Sequence, residues 1–211
     1  MSVSSSDKCR QIVTGLSRCY GEIDWWQGDT DEVMIGAILT QQTRWENVER
    51  AIQAMKEAGL CSIQAIHATS RGQIEDIIRC TGFYRVKSRR LLHLANHIMD
   101  TYGGVRGMRK KTTGELRASL LSVHGIGEET ADSILCYGLG RTSFVIDAYT
   151  IRICGCAGIP GGRTDLKSAF EEILPDRIGP YRQAHAHIVE YAKDYCQKKR
   201  CDTCLVRNLN G

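Results

Sequence analysis

Only three prolines interrupt the 211 residues, so little in the sequence forces helical runs to break. Long apolar runs are missing too: none approaches the roughly 18 residues that a membrane-spanning helix needs. The N-terminus, Met1 to Asp7, is Ser-rich but has no basic stretch followed by an apolar one, which argues against a secretion signal. The expectation is a soluble, intracellular, cytoplasmic protein with no membrane partner. Charge of one sign is scarcely in excess, with Lys+Arg 28 against Asp+Glu 24 and a net charge of +4. That balance permits a polyanionic partner without demanding one. Neither a 20–50-residue repeat nor a low-complexity segment is present, which excludes solenoid architectures.

The length suffices for one large domain or two small, interleaved ones that bury an ordinary core without staples. Apolar positions recur at helical spacing, so the fold class expected is all-α. Helices are predicted from Thr30 to Gln41, Arg44 to Ala58, Ser70 to Ile78 and Lys87 to Tyr102. Ser70 followed by Gln73 has capping-box spacing. Tyr181, Ala184, Ile188, Tyr191 and Tyr195 fall on one face of a last helix. Ten cysteines would mean disulfides in a short secreted chain. Here Cys19, Cys61, Cys80, Cys136 and Cys154 sit singly in apolar, helical surroundings and read as reduced core residues. Cys196, Cys201 and Cys204 crowd together near the C-terminus instead.

The richest segment is Leu120-Leu121-Ser122-Val123-His124-Gly125-Ile126-Gly127-Glu128-Glu129-Thr130-Ala131-Asp132. Two glycines around one apolar residue allow a tight turn between helices. The second helix then begins with unpaired N–H groups that suit a phosphate, although a plain interhelical turn uses the same pattern. Downstream, Phe144-Val145-Ile146-Asp147 is an apolar run ending in a carboxylate at a helix start, where the ordinary role of an Asp is an N-cap.

Taken together and in this order, these segments resemble the helix-hairpin-helix (HhH-GPD) endonuclease III superfamily of DNA glycosylases, from about Trp25 to Cys204. The resemblance implies a two-lobed all-α fold with a cleft between lobes, in which residues 1-27 pack with a C-terminal lobe of residues 142-211. A central domain of residues 28-141 would carry the hairpin, residues 120-137. It also implies base excision repair: a damaged base in double-stranded DNA is flipped out and its N-glycosidic bond cut by a monomeric, nucleoid-associated enzyme. Asp147 takes the position of the family's essential carboxylate. Bifunctional members carry a lysine eighteen residues earlier, and here that position is Glu129. A carboxylate cannot form an imine, so the expected enzyme is monofunctional, with AP lyase activity absent or weak. Gly125, Gly127 and Thr130 match DNA-binding positions of the hairpin, and the carbonyls of Leu121, Val123 and Ile126 match those that hold a monovalent cation.

Thr40-Gln41-Gln42-Thr43-Arg44-Trp45 resembles the loop from which a glutamine, here Gln41 beside Gln42, enters the gap left by the flipped nucleotide. Trp25, Trp26 and Trp45, with Glu129, resemble the 3-methyladenine DNA glycosylase III branch, whose aromatic base pocket suits electron-poor alkylated purines. Aromatic pairs are otherwise core or surface anchors. Cys196-x4-Cys201-x2-Cys204 resembles the family's [4Fe–4S] loop, with Asn210 where a fourth cysteine stands. Loss of the metal or a non-cysteine ligand are the alternatives. Arg85, Lys87, Arg89 and Arg90, and Arg106, Arg109, Lys110 and Lys111, are candidates for phosphate contacts or for solvated helix faces. His185 and His187 are poor joint metal ligands, and Lys193 is a distant candidate for an amine approaching the site from the last helix. The competing functions are a glycosylase for oxidised pyrimidines or U/T mismatches, and a non-catalytic DNA-binding protein.

Overall fold

The computed structural model describes residues 4–26 and 28–210, so the outermost residues of the predicted N-terminal segment and Gln27 lie outside it, as does the Asn210 side chain. The described residues contain helices and turns and no strand. The helices, in chain order, are α1 (Ser5–Tyr20), α2 (Thr30–Leu39), α3 (Trp45–Glu57), α4 (Ile63–His67), α5 (Arg71–Ile77), α6 (Tyr84–Tyr102), α7 (Val105–Met108), α8 (Thr113–Leu121), α9 (Glu128–Ser133), α10 (Ala148–Cys156), α11 (Arg163–Ile173) and α12 (Ile178–Tyr191). They form two compact units: one from Trp26 to Gly140, the other from the residues up to Trp25 together with those from Arg141 onward.

In the Trp26–Gly140 unit, α2 is the central helix. Every residue from Val33 to Leu39 is buried, and each large apolar side chain so placed contributes about 1.5–3 kcal/mol. Around it α3 turns in Val48, Ala51, Ile52 and Met55, an i, i+3, i+4, i+7 stripe. Leu91, Leu94 and Ile98 of α6 and Leu116 and Leu120 of α8 complete the same core. Asp29 caps α2 by accepting from the Glu32 N–H at 2.9 Å. Ser70 caps α5 through the Gln73 N–H at 3.4 Å, while its hydroxyl donates to the Gln73 side chain at 2.9 Å in place of the reciprocal backbone bond of a full box. Helix α6 begins three residues before the predicted Lys87 start. Phe83, in the left-handed region at φ 47°, opens it, and its carbonyl accepts from Val86 and Lys87.

In the other unit α1 buries Cys9, Ile12 and Leu16 against α11 and α12. Tyr181, Ala184, Ile188 and Tyr191 of α12 are buried, and Tyr195 stacks on Tyr191 with ring centroids 4.3 Å apart. His185 and His187 are buried as well, so α12 is enclosed well beyond one stripe. No disulfide joins any of the cysteines. Cys136 and Cys154 are core residues and Cys61 is half-buried, but Cys19 and Cys80 are exposed, contrary to the core expectation. The reason is position: Cys19 lies in the last turn of α1, and Cys80 in the short turn Arg79–Thr81.

Candidate functional site

The extended run Phe144–Ile146 is fully enclosed and delivers Asp147 to the N-terminus of α10. Lys167 and Glu171 of α11 hold this run by its backbone, Lys167 donating to the Phe144 carbonyl at 2.9 Å and Glu171 accepting from the Phe144 N–H at 2.8 Å. Asp147 Oδ1 caps the helix, accepting from the Thr150 N–H at 2.7 Å and from its hydroxyl at 2.8 Å. Oδ2 faces His185 Nε2 at 3.5 Å, an electrostatic contact longer than a good hydrogen bond. Burial acts to raise the Asp147 pKa. His185 and the two Thr150 bonds outweigh it and bring the carboxyl below its ordinary 3.8. At neutral pH Asp147 is therefore a buried carboxylate with one oxygen committed to the cap and the other turned to a histidine.

A strap over α12 sets what surrounds that histidine. Gln183 bonds both the N–H and the carbonyl of Ile23, at 2.9 and 2.7 Å, and His187 bonds the Gly21 carbonyl at 2.6 Å. The strap brings Trp25 onto His185, with ring centroids 5.4 Å apart. Lys193 lies 5.9 Å from the Trp25 ring and pairs with Glu190 at 2.7 Å. Asp147, His185, Trp25 and Lys193 thus form one constellation within this unit. Sequence spacing placed His185 only as a poor metal ligand. Its alignment with Asp147 depends on the α10 and α12 packing, for which a linear pattern carries no signal.

In the Trp26–Gly140 unit, α8, residues 122–127 and α9 form the hairpin. Arg117 of α8 clamps α9, reaching the buried Asp132 at 2.9 Å and Glu128 at 3.3 Å. Gly125 has φ 92°, and a Cβ there would run into the Arg90 side chain, 2.8 Å from Cδ. Gly127, the residue before α9, has φ −95° and open space where a side chain would stand. Of the candidate carbonyls, that of Val123 accepts the Ile126 N–H at 3.0 Å. Glu129 is exposed and Thr130 buried in the first turn of α9.

Gln41 follows α2, half-buried, with its amide donating to Thr130 Oγ1 at 3.0 Å and its carbonyl oxygen accepting from Arg90. Gln42 is exposed at φ 55°. Trp26 and Trp45 come together, centroids 5.4 Å apart, and Trp26 also stacks at 5.9 Å on Tyr137, a ring with no motif around it. Lys87, expected as a phosphate contact or a solvated residue, is instead buried. It donates to the Leu39 and Thr81 carbonyls, each at 2.8 Å. One ammonium therefore fixes the backbone just before Gln41 and just before Phe83, a ring 63% exposed. Burial and, secondarily, Arg90 lower the Lys87 pKa to about 8. Arg85, Arg89, Arg106, Arg109, Lys110 and Lys111 remain exposed.

The family model of the HhH-GPD superfamily base excision DNA repair proteins matches residues 35–179. The chain belongs to the HhH-GPD superfamily. It is 43% identical over 197 residues, 90% of either chain, to a Methanocaldococcus jannaschii protein described as a DNA repair glycosylase. It is 26% identical over 204 residues to endonuclease III of Thermotoga maritima, covering 94% of this chain and 88% of that one. Among solved structures, Helicobacter pylori 3-methyladenine DNA glycosylase bound to 1,N6-ethenoadenine superposes with a TM-score of 0.77 at 25% identity, over 91% of this chain and 98% of that one. Endonuclease III in a non-covalent DNA complex has the same fold, with a TM-score of 0.80 at 18% identity and coverage of 99% and 95%.

The cysteine loop of this HhH-GPD protein departs from a simple metal knuckle. Among the described residues no three His, Cys, Asp or Glu side chains converge as a site for one metal ion. Cys204 is buried, its sulfur accepting from the Tyr191 hydroxyl at 3.4 Å. The Cys196 thiol is raised by burial and then by Cys156, Cys204 and Cys201 around it, with Arg152 opposing. Tyr149, Arg152 and Cys156 lie on one face of α10, and Gln197 donates to the Tyr149 hydroxyl at 2.8 Å. Cys156 is a fourth sulfur in that neighbourhood, reached by helix packing rather than by spacing in the loop.

Proposed function

We propose that this HhH-GPD protein is a monofunctional DNA glycosylase with a preference for alkylated purines. The observation that carries the reading is the carboxylate of Asp147, ionised, held by Thr150 and paired with His185 beside the Trp25 ring. As the C1′–N bond breaks, its electron pair leaves with the base and positive charge develops on the sugar. Oδ2 is the group that stabilises this charge, and a preorganised ion in a water-poor site is worth far more there than in water. Water then adds at C1′ and loses a proton, leaving an abasic site. Glu129 stands where the lyase lysine would be, so no imine forms. Trp25, and separately Trp26 with Trp45, supply flat apolar surfaces suited to an electron-poor base whose glycosidic bond is already weak.

In this reading the hairpin around Gly125, Gly127 and Thr130 binds a phosphate and orients DNA without reading sequence. A monovalent cation on the Leu121, Val123 and Ile126 carbonyls would assist it. Gln41, with Gln42 beside it, fills the gap left by the flipped nucleotide, and the exposed Phe83 supplies a second wedge at a base step. A [4Fe–4S] cluster is assigned to Cys196, Cys201 and Cys204 with Cys156 as the remaining thiol. The thiols of Cys156, Cys204 and Cys201 act electrostatically on that of Cys196, and these four sulfurs are the set that would hold the cluster. When bound, it would tie the loop to α10.

The test is base release from duplexes carrying an alkylated adenine, uracil, thymine glycol or a G·T mismatch, with and without alkali. Release of alkylated adenine, with breaks only after alkali, is the expected result. Breaks without alkali would overturn the monofunctional reading, and no release from any duplex would leave a DNA-binding protein. The similarity to Thermotoga maritima endonuclease III favours an oxidised-pyrimidine glycosylase as the second reading, which release from thymine glycol alone would support.

A further inference from the structure

Gln41 has both ends of its amide engaged within the protein. Its NH2 donates to Thr130 Oγ1 at 3.0 Å, and its oxygen accepts from the Arg90 guanidinium. The amide keeps a second N–H and a second lone pair, but these two bonds tie it to Thr130 and Arg90, so carrying it into DNA breaks both. The backbone at this point has little slack: Lys87 holds the Leu39 carbonyl, and Gln41 N–H bonds Ile38 at 3.3 Å. Release is therefore a side-chain event. Of the two partners, Arg90 has the better alternative. Its stem lies against Gly125 of the hairpin turn, and a guanidinium binds phosphate in bidentate fashion with charge on both partners, which a neutral amide oxygen does not offer.

We infer that Arg90 is a positioning residue that parks Gln41 against the hairpin in DNA-free protein and releases it when a backbone phosphate takes the guanidinium. Wedge insertion is then conditional on seating at the hairpin, which discourages distortion of DNA that is only loosely bound. The inference rests on the reading of Gln41 as the wedge.

The test is a double-mutant cycle on binding to a duplex with a tetrahydrofuran abasic analogue opposite 2-aminopurine. The variants are Arg90→Met, which keeps the stem over the turn, Gln41→Ala and their combination. Loss of the phosphate contact should lower the slope of log K against log salt by about 1 in either background. Because Arg90→Met also frees Gln41, it should weaken binding about fivefold less in the parent protein than in the Gln41→Ala background, the worth of one hydrogen bond. In free protein the Gln41 side-chain amide resonances should move toward those of an exposed glutamine. Thr130→Val breaks the other bond without touching a charge and should show the same sign of non-additivity. Equal or larger weakening in the parent protein, for both Arg90→Met and Thr130→Val, overturns the parking role while leaving the wedge intact. A Gln41→Ala protein with unchanged affinity and unchanged 2-aminopurine fluorescence overturns the wedge reading itself.

Discussion

The two hairpin glycines should respond in opposite ways to the same added methyl group. At Gly127 the backbone is extended, φ −95° and ψ 178°, and no atom beyond its chain neighbours lies within 4 Å of where a Cβ would stand. Alanine there reduces the entropy of the unfolded chain by about 0.4–1 kcal/mol and sacrifices a similar amount because glycine is the better N-cap. The net change in stability should stay within about 0.5 kcal/mol. Gly127 is the exposed residue immediately before α9, so an added methyl group should stand against a phosphate bound at the start of that helix. Losing one charge-assisted bond to phosphate, about 1.5–3 kcal/mol, should weaken DNA binding roughly 10- to 100-fold. At Gly125 the left-handed φ of 92° and the overlap with Arg90 should instead make Gly125→Ala less stable by about 1–3 kcal/mol. Urea unfolding measures the first quantity, and fluorescence anisotropy on an abasic-analogue duplex at fixed salt measures the second. A Gly127→Ala protein that binds DNA within twofold of the parent would refute the hairpin as a phosphate contact.

Asp147→Asn should preserve the Thr150 cap through its amide oxygen and cut single-turnover base release by about 10²–10⁴-fold with DNA affinity retained. A fall of less than tenfold would remove Asp147 from the chemistry. The lowered pKa of Asp147 means that its contribution to stability is present above 3.8 and is lost as pH falls through the folded value, so Asp147→Asn should flatten the acid limb of the stability profile. Lys87 works in the opposite range: its folded pKa of about 8 lies below the ordinary 10.5, so stability should rise between those values as the folded state sheds its proton first. Lys87→Met should abolish that rise, and persistence of the slope would assign it to another group. Purified protein should contain iron and inorganic sulfide and absorb at the thiolate-to-iron band, with Cys156→Ser losing both. Folded, active protein free of iron would sink the cluster assignment.

Much of this protein was legible from the order of its residues. Helical spacing and scarce proline determine the all-α class, and the Gly125-Ile126-Gly127 turn marks the hairpin because only a few backbone solutions join two helices so tightly. Asp147 was visible as a helix cap after an apolar run, since capping is a local interaction. What tertiary structure decided is what lies across from these groups. His185 reaches Asp147 only because α12 packs beside α10, and Trp25 reaches His185 only because Gln183 and His187 strap residues 21–23 to α12. Lys87 looks like any surface lysine until α6 buries it beneath two helix ends. Cys156 lies 40 residues before Cys196 and acquires it as a neighbour through a helix face. Local bonding and periodicity are written along the chain. Long-range partnerships arise from packing, where the burial of apolar faces fixes which distant polar groups must satisfy one another.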